Sequence, residues 1–161
     1  SPARLVRVKE NLERTGLSAE IVAADAGEWA DEREFDAVLL DAPCSATGTY
    51  RRHPDVLWAA RPSDVAALAS VQSRLLDSAA KRTKVGGRLV YCVCSLEPEE
   101  GEAQIAAFLS RHADFKLVPA APGEGGAPEA SLLADGTLRL LPHHRPGGQD
   151  GFYAARLRRE V

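Results

Sequence analysis

Residues 86–100 read Gly-Gly-Arg-Leu-Val-Tyr-Cys-Val-Cys-Ser-Leu-Glu-Pro-Glu-Glu. The part from Arg88 to Cys94 is a near-continuous apolar run of strand length. Runs of this kind belong to strands of a parallel sheet covered on both faces. Pro98-Glu99-Glu100 behind it opens a helix, with acids at the positive helix end and Ile105, Phe108 and Leu109 facing inward. In front of it, Ser63-Asp64 caps a long helix carrying Val65, Leu68, Val71, Leu75 and Leu76, which ends near Gly86-Gly87. Further back, Phe35–Leu40 ends at Asp41, and Ile21–Ala24 ends at Asp25; both read as buried strands. Ser1-Pro2 starts a first helix, with Leu5, Val8 and Leu12 at helical spacing and Gly16 as its stop. Forward of the central stretch, Phe115–Val118 is a fourth strand. Residues 119–131 are a Pro-, Gly- and Ala-rich connection. Thr137–Leu141 and Phe152–Leu157 pair around the turn-rich residues 143–151. Helices alternating with short apolar strands specify an α/β fold with a mostly parallel central sheet.

The chain has 161 residues, and residues 1–161 are read as a single domain. Hydrophobic residues make up 45% and charged residues 27%, a globular composition that excludes disorder. No apolar run reaches the roughly 18–20 residues of a membrane helix, and no signal peptide is visible, so no membrane partner is expected. The net charge is −3, so any nucleic-acid contact must come from a local basic patch or from another part of the protein. Three cysteines do not form a secreted disulfide framework; a reducing, cytoplasmic setting is expected. Sixteen Arg against four Lys suggest a GC-rich bacterial genome.

Asp25, Asp41, Cys44 and Cys94 sit where strands end, which is where open parallel sheets bind ligands. If the strands ending at Asp41 and Cys94 are neighbours, about 4.8 Å apart, Cys44 and Cys94 face one crevice across 50 positions of sequence. Cys94 precedes a helix start, whose dipole would favour the thiolate. A buried cysteine in a strand is more often mere packing, and Cys92 fits that reading. A zinc site from Cys92, Cys94, Cys44 and a histidine (His53 or His143) lacks any standard ligand spacing, so no metal is expected. Neither a P-loop nor a G-x-G-x-x-G occurs. Arg51-Arg52-His53 and His143-His144-Arg145 are either phosphate-binding clusters or solvated loops. Tyr50 and Trp58, flanking the first, either stack a base or pack in the core.

Asp41-Ala42-Pro43-Cys44-Ser45-Ala46-Thr47-Gly48, followed by Arg51-Arg52-His53-Pro54-Asp55, resembles a motif of the RNA cytosine-5 methyltransferases of the NOL/NOP2/Sun family. Residues 86–100 resemble the family's GG-x-LVY-x-TCS-x-x-x-EE segment, and Asp150–Ala155 its DGFF-x-A segment. Arg4-Leu5 with Asn11-Leu12, Arg14 and Gly16 is similar to the helix after its second strand. Within the family it resembles the bacterial Sun type, which implies small-subunit ribosomal RNA as the substrate.

The resemblance implies a Rossmann-like class I fold, S-adenosyl-L-methionine as methyl donor and cytosine in RNA as acceptor. It implies Cys94 as nucleophile, Cys44 as the residue that assists release of the methylated RNA, Asp41 at both cofactor and base, and Asp25 on the adenine side of the cofactor. A thiolate adding to carbon 6 makes carbon 5 of the ring electron-rich, which is why this chemistry needs a sulfur. The chain departs from the pattern in two ways. Val93 replaces the usual Thr beside the nucleophile. The glycine-rich cofactor loop and the first two strands are absent, so this is expected to be the C-terminal part of a catalytic domain that binds cofactor poorly by itself. The family's usual strand order, 3-2-1-4-5-7-6, would put the strands at 21–24 and 35–40 at its positions 3 and 4. A non-catalytic RNA-binding module keeping the same fold is the alternative. Neither the oligomeric state nor the target nucleotide is encoded legibly.

Overall fold

In the computed structural model, which describes residues 2–161, two compact units are present, one ending at Asp31 and the other running Glu32–Val161. The first contains helix α1, Pro2–Thr15, which closes where Gly16 takes a left-handed φ of 66°. The proposed capping role of Ser1 lies outside the described residues. The strand expected at 21–24 is not formed. Ile21 and Val22 are exposed, and none of the strand ladders includes them. Four apolar residues make a strand only where a ladder partner takes up their N–H and C=O groups. Asp25 therefore ends no strand. It sits in a turn, its Oδ1 accepting from the N–H of Gly27 at 2.8 Å.

The second unit is built on a five-stranded sheet: β1 (Phe35–Asp41), β2 (Thr83–Val93), β3 (Phe115–Leu117), β4 (Leu138–Leu140) and β5 (Phe152–Arg159). The order is β1-β2-β5-β3, with β4 also paired to β5. This order reproduces the 4-5-7-6 half of the arrangement that the family resemblance implies. The sheet is mixed rather than mostly parallel here. β1 and β2 run parallel, while β5 is antiparallel to β2, β3 and β4. The reason is the turn-rich 141–151 segment. It returns the chain directly beside β4, whereas a parallel neighbour needs a crossover of a dozen residues or more.

Helix α3 (Pro62–Lys81) starts one residue before the expected cap, with Arg61 extended and Pro62 in the first turn. It ends at Lys81, not at the glycine pair. Thr83 Oγ1 donates back to the Ala79 carbonyl at 2.9 Å, and β2 begins at once. Gly86 and Gly87 instead form a bulge inside β2, where the pairing register jumps from Phe35↔Thr83 to Ala37↔Arg88. Gly86 has φ 79°, and a Cβ on Gly87 would lie 2.8 Å from the Lys84 carbonyl oxygen. Helix α4 (Glu102–Arg111) begins four residues after Pro98, because residues 98–101 form a turn that carries Glu100 into the interior.

Alternation along β2 sends Leu89, Tyr91 and Val93 to one face, where they meet Tyr153, Ala155 and Leu157 of β5. Leu76, Ala79 and Ala80 of α3 and Ile105 and Phe108 of α4 close over them. β1 is an edge strand, and Leu39 on its other face is 70% exposed. No helix among the described residues is long and apolar enough to cross a membrane.

Candidate active site

Parallel pairing of β1 with β2 brings both strand ends to one rim. Asp41 stands opposite Cys92, and the ladder continues as the Ala42 N–H donates to the Cys92 carbonyl at 3.0 Å. Beyond this point the two chains diverge into loops that carry the thiols. Cys44 Sγ lies 3.5 Å from Cys94 Sγ. The inferred juxtaposition across 50 positions is thus present.

Three loops lock together at this rim. The Gly48 N–H donates to the Cys94 carbonyl at 3.0 Å, and the Gly151 N–H donates to the Gly48 carbonyl at 2.7 Å. A Cβ on Gly48 would sit 2.1 Å from the Gly151 oxygen, and one on Gly151 would sit 2.4 Å from Leu96 Cδ2. Neither position has room for a side chain. Ala46 holds a left-handed φ of 58°, a conformation that costs a non-glycine residue about 1–3 kcal/mol. Hydroxyls offset that strain. Thr49 Oγ1 donates to the Ala46 carbonyl at 2.8 Å, and Thr47 Oγ1 accepts from the Leu96 N–H at 3.0 Å. Ser95 Oγ lies 3.3 Å from both Ser45 Oγ and Thr47 Oγ1, and it accepts from the Glu97 N–H at 3.0 Å.

Beneath this network lies Glu100, fully buried. Its carboxylate accepts from the Ser45 N–H at 2.9 Å, from Ser45 Oγ at 2.5 Å and from Gln72 Nε2 at 3.0 Å. Gln72 also donates to the Pro43 carbonyl at 3.0 Å, and the Tyr91 hydroxyl donates to the Glu100 carbonyl at 2.6 Å. These bonds fix the Pro43–Ser45 backbone, and with it Cys44. Glu100 and Gln72 were not among the site residues inferred from sequence. Gln72 carried a signal nonetheless: it is a polar side chain within the apolar stripe of α3.

The three thiols differ in their chemistry. Burial, helped by the nearby Asp41 carboxylate, pushes the Cys92 thiol up to about 12. Cys92 Sγ is 3.8 Å from Asp41 Oδ1, and this thiol is buried packing. Cys94 is partly exposed and is lowered to about 7, chiefly by its hydrogen bond with the Cys44 thiol. Cys44 is correspondingly raised, by that same bond and by burial. The helix dipole invoked from sequence is not the cause, since α4 begins eight residues past Cys94. A neighbouring thiol and a backbone hydrogen bond take its place.

Asp41 is exposed at the end of β1, while Asp25 belongs to the first unit. Trp58, on the short helix α2 (Val56–Ala59), is 89% exposed, which excludes a core role. Among the described residues, no three His, Cys, Asp or Glu side chains gather as a metal site.

A sheet ordered β1-β2-β5-β3, with an acid and a thiol pair on the rim of its parallel strands, defines the class: a Rossmann-like methyltransferase fold. The comparisons narrow this further. The family described as 16S rRNA methyltransferase RsmB/F matches residues 1–158, and the chain belongs to that family. It is similar to the ribosomal RNA small subunit methyltransferase B of Pseudomonas syringae pv. tomato, 48% identical over 96% of this chain and 34% of that protein. Among solved structures it resembles NSun6 from Pyrococcus horikoshii with SFG, at 30% identity and TM-score 0.80, covering 100% of this chain and 40% of that one. It also resembles a methyltransferase homolog protein from Pyrococcus horikoshii, at 31% identity and TM-score 0.76, covering 99% and 51%. The chain spans about a third of the length of the curated relatives it matches.

Proposed function

We propose that the protein carrying this chain methylates carbon 5 of a cytosine in small-subunit ribosomal RNA, by way of a transient covalent bond to Cys94. The observation that carries this reading is the 3.5 Å approach of two thiols at the sheet rim, with Cys94 the one biased toward thiolate. Kinship with ribosomal RNA small subunit methyltransferases supports the substrate class, and a structural relative solved with the S-adenosylmethionine analogue SFG supports the methyl donor.

Cys94 adds through its thiolate to carbon 6 of the base, which breaks the ring's aromaticity and makes carbon 5 nucleophilic. S-adenosylmethionine, when bound, supplies the methyl group. Asp41 suits a place beside both cofactor and base. Its carboxylate is exposed, and the thiol at 3.8 Å is a weak partner that leaves it free for a ligand donor. There, carrying a proton, its carboxyl group would donate to the ring nitrogen and take up the negative charge that develops as the sulfur adds. A base takes the carbon-5 proton, and the bond between carbon 6 and sulfur breaks with its electrons returning to Cys94 as thiolate. Cys44, whose sulfur lies 3.5 Å away, donates its S–H to the departing anion, so Cys44 assists release. The base must leave its stack to reach the rim. Asp25 remains an expected contact to the adenine side.

The test uses the full-length protein with 5-fluorocytosine-containing ribosomal RNA and S-adenosylmethionine. A covalent protein–RNA adduct is expected in the unaltered protein and in Cys92→Ala, and none in Cys94→Ala. An adduct that persists in Cys94→Ala overturns the proposal.

A further inference from the structure

The basic cluster at residues 51–53 is not used by the chemistry above. Its loop is wound on Thr49, whose carbonyl accepts from the N–H groups of both Arg52 and His53 at 2.9 Å. Arg52 Nε donates to Asp150 Oδ2 at 2.7 Å, and Arg52 Nη2 donates to the same oxygen. Asp150 directly precedes Gly151, the residue that bonds Gly48, which in turn bonds the Cys94 carbonyl. Arg52 is thus fixed to the same interlock that positions the nucleophile, close enough for the two charges to interact.

The geometry of the pair matters more than its charge. Arg52 uses its side-on edge on Asp150. Nη1 bonds no atom among the described residues, so the end-on edge of the guanidinium stays open, and the side chain is 55% exposed. A guanidinium presents its donors as a rigid fork that matches phosphate oxygens. Arg51 is exposed beside it; its Cδ would lie 3.2 Å from a Cβ built on Gly148, so the 147–150 turn runs alongside. Asp150 is the carboxylate that pairs with Arg52. Its Oδ1 is buried without a hydrogen-bond partner, while its Oδ2 takes both Arg52 donors. Carboxylates that pin an arginine in this way fix its direction at the expense of net charge.

We propose that Arg52, aimed by Asp150, grips a phosphodiester oxygen of the RNA strand beside the cytosine presented to Cys94. Arg52 is a binding residue, and Asp150 is a positioning residue that acts through it. The inference rests on the RNA reading above and adds where the strand backbone is held. A base swung out of its stack leaves its flanking phosphates as the remaining handles, and a grip there sets register without reading sequence.

The experiment measures the Kd of the full-length protein for unmodified in vitro transcribed small-subunit ribosomal RNA across a salt series, with KM and kcat for methylation. Arg52→Gln is expected to weaken binding about 5- to 10-fold near physiological salt and to flatten the slope of log Kd against log salt by about 0.7–0.9. Arg52→Lys keeps the charge but loses the fork; it is expected to keep the wild-type slope with weaker binding. Asp150→Asn separates aim from charge. It removes a negative charge from the RNA face, yet it is expected to weaken binding and raise KM. Tighter binding by Asp150→Asn, or a wild-type slope in Arg52→Gln, overturns the assignment. Should Arg52→Gln fail to fold, Arg52→Lys and Asp150→Asn still decide. Unaltered protein that binds this RNA without salt dependence overturns the RNA reading itself; unaltered binding that all variants share overturns only the role of Arg52.

Discussion

The helix-covered face of the sheet and the rim at the ends of β1 and β2 are built from neighbouring residues of the same strands, yet they are held together by opposite means. The face is apolar: Leu89, Tyr91, Val93, Phe108 and Leu157 are fully buried, and the Tyr91 hydroxyl donates to the Glu100 carbonyl at its margin. The rim is a mesh of hydroxyls, backbone N–H groups and one buried carboxylate, closed by two glycines with no room for a Cβ. Volume matters on the face, whereas direction and contact distance matter at the rim. A face assembled from shape alone tolerates repacking. A rim assembled from directed bonds loses its function before it loses its fold.

Substitutions can break or sharpen this contrast. The largest expected effect is functional: Cys94→Ala should cut methylation by about a thousandfold or more, read as turnover on ribosomal RNA, with little change in thermal unfolding. Cys92→Ala, two residues away on the same strand, should leave turnover within a few fold. Equal losses in the two variants would erase the contrast. On the face, Phe108→Ala should cost about 3–5 kcal/mol in denaturant unfolding. Glu100→Ala, at the base of the rim, should cost about 1–3 kcal/mol, because the Ser45 N–H and the Gln72 amide lose their acceptor in the interior. Its signature should be a larger relative loss of turnover than Phe108→Ala shows at equal stability. Gly48→Ala should behave likewise, with about 1–3 kcal/mol of overpacking.

The pH dependence is a subtler test. The thiolate is the reactive form, and Cys94 is lowered to about 7. Alkylation of Cys94 by iodoacetamide should therefore be slow below pH 6, reach half its maximum near pH 7 and level off above pH 8. Cys44→Ser replaces the thiol that steadies the anion with a weakly matched hydroxyl and should move the midpoint upward. A midpoint that stays near 7 would assign the lowering to the backbone alone.

Much of this was legible in the residues. Apolar runs at 35–40 and 88–94 marked two strands, and acid and thiol residues at their ends marked the rim once the strands are taken as neighbours. What escaped was decided by partners distant in sequence. Ile21–Ala24 has the composition of a strand but is not paired. Gly86-Gly87 reads as a helix stop by itself, but the register with β1 makes it a bulge. Glu100 reads as an acid at the positive end of a helix. Only the approach of Ser45 and Gln72, 55 and 28 positions away, explains why it is buried. The lowered Cys94 follows from a thiol 50 residues upstream and not from the helix that follows it.

The position of β5 has a consequence for how the molecule is made. β5 follows β1 to β4 in sequence yet lies in the interior of the sheet, between β2 and β3. During synthesis β2 therefore emerges with one flank bare, and the thiols lack the Gly151 brace until residues 150–159 leave the exit tunnel. Assembly of this half of the sheet cannot proceed vectorially; it waits on a late, long-range insertion of the kind that slows folding and leaves an open strand for chaperones to shield.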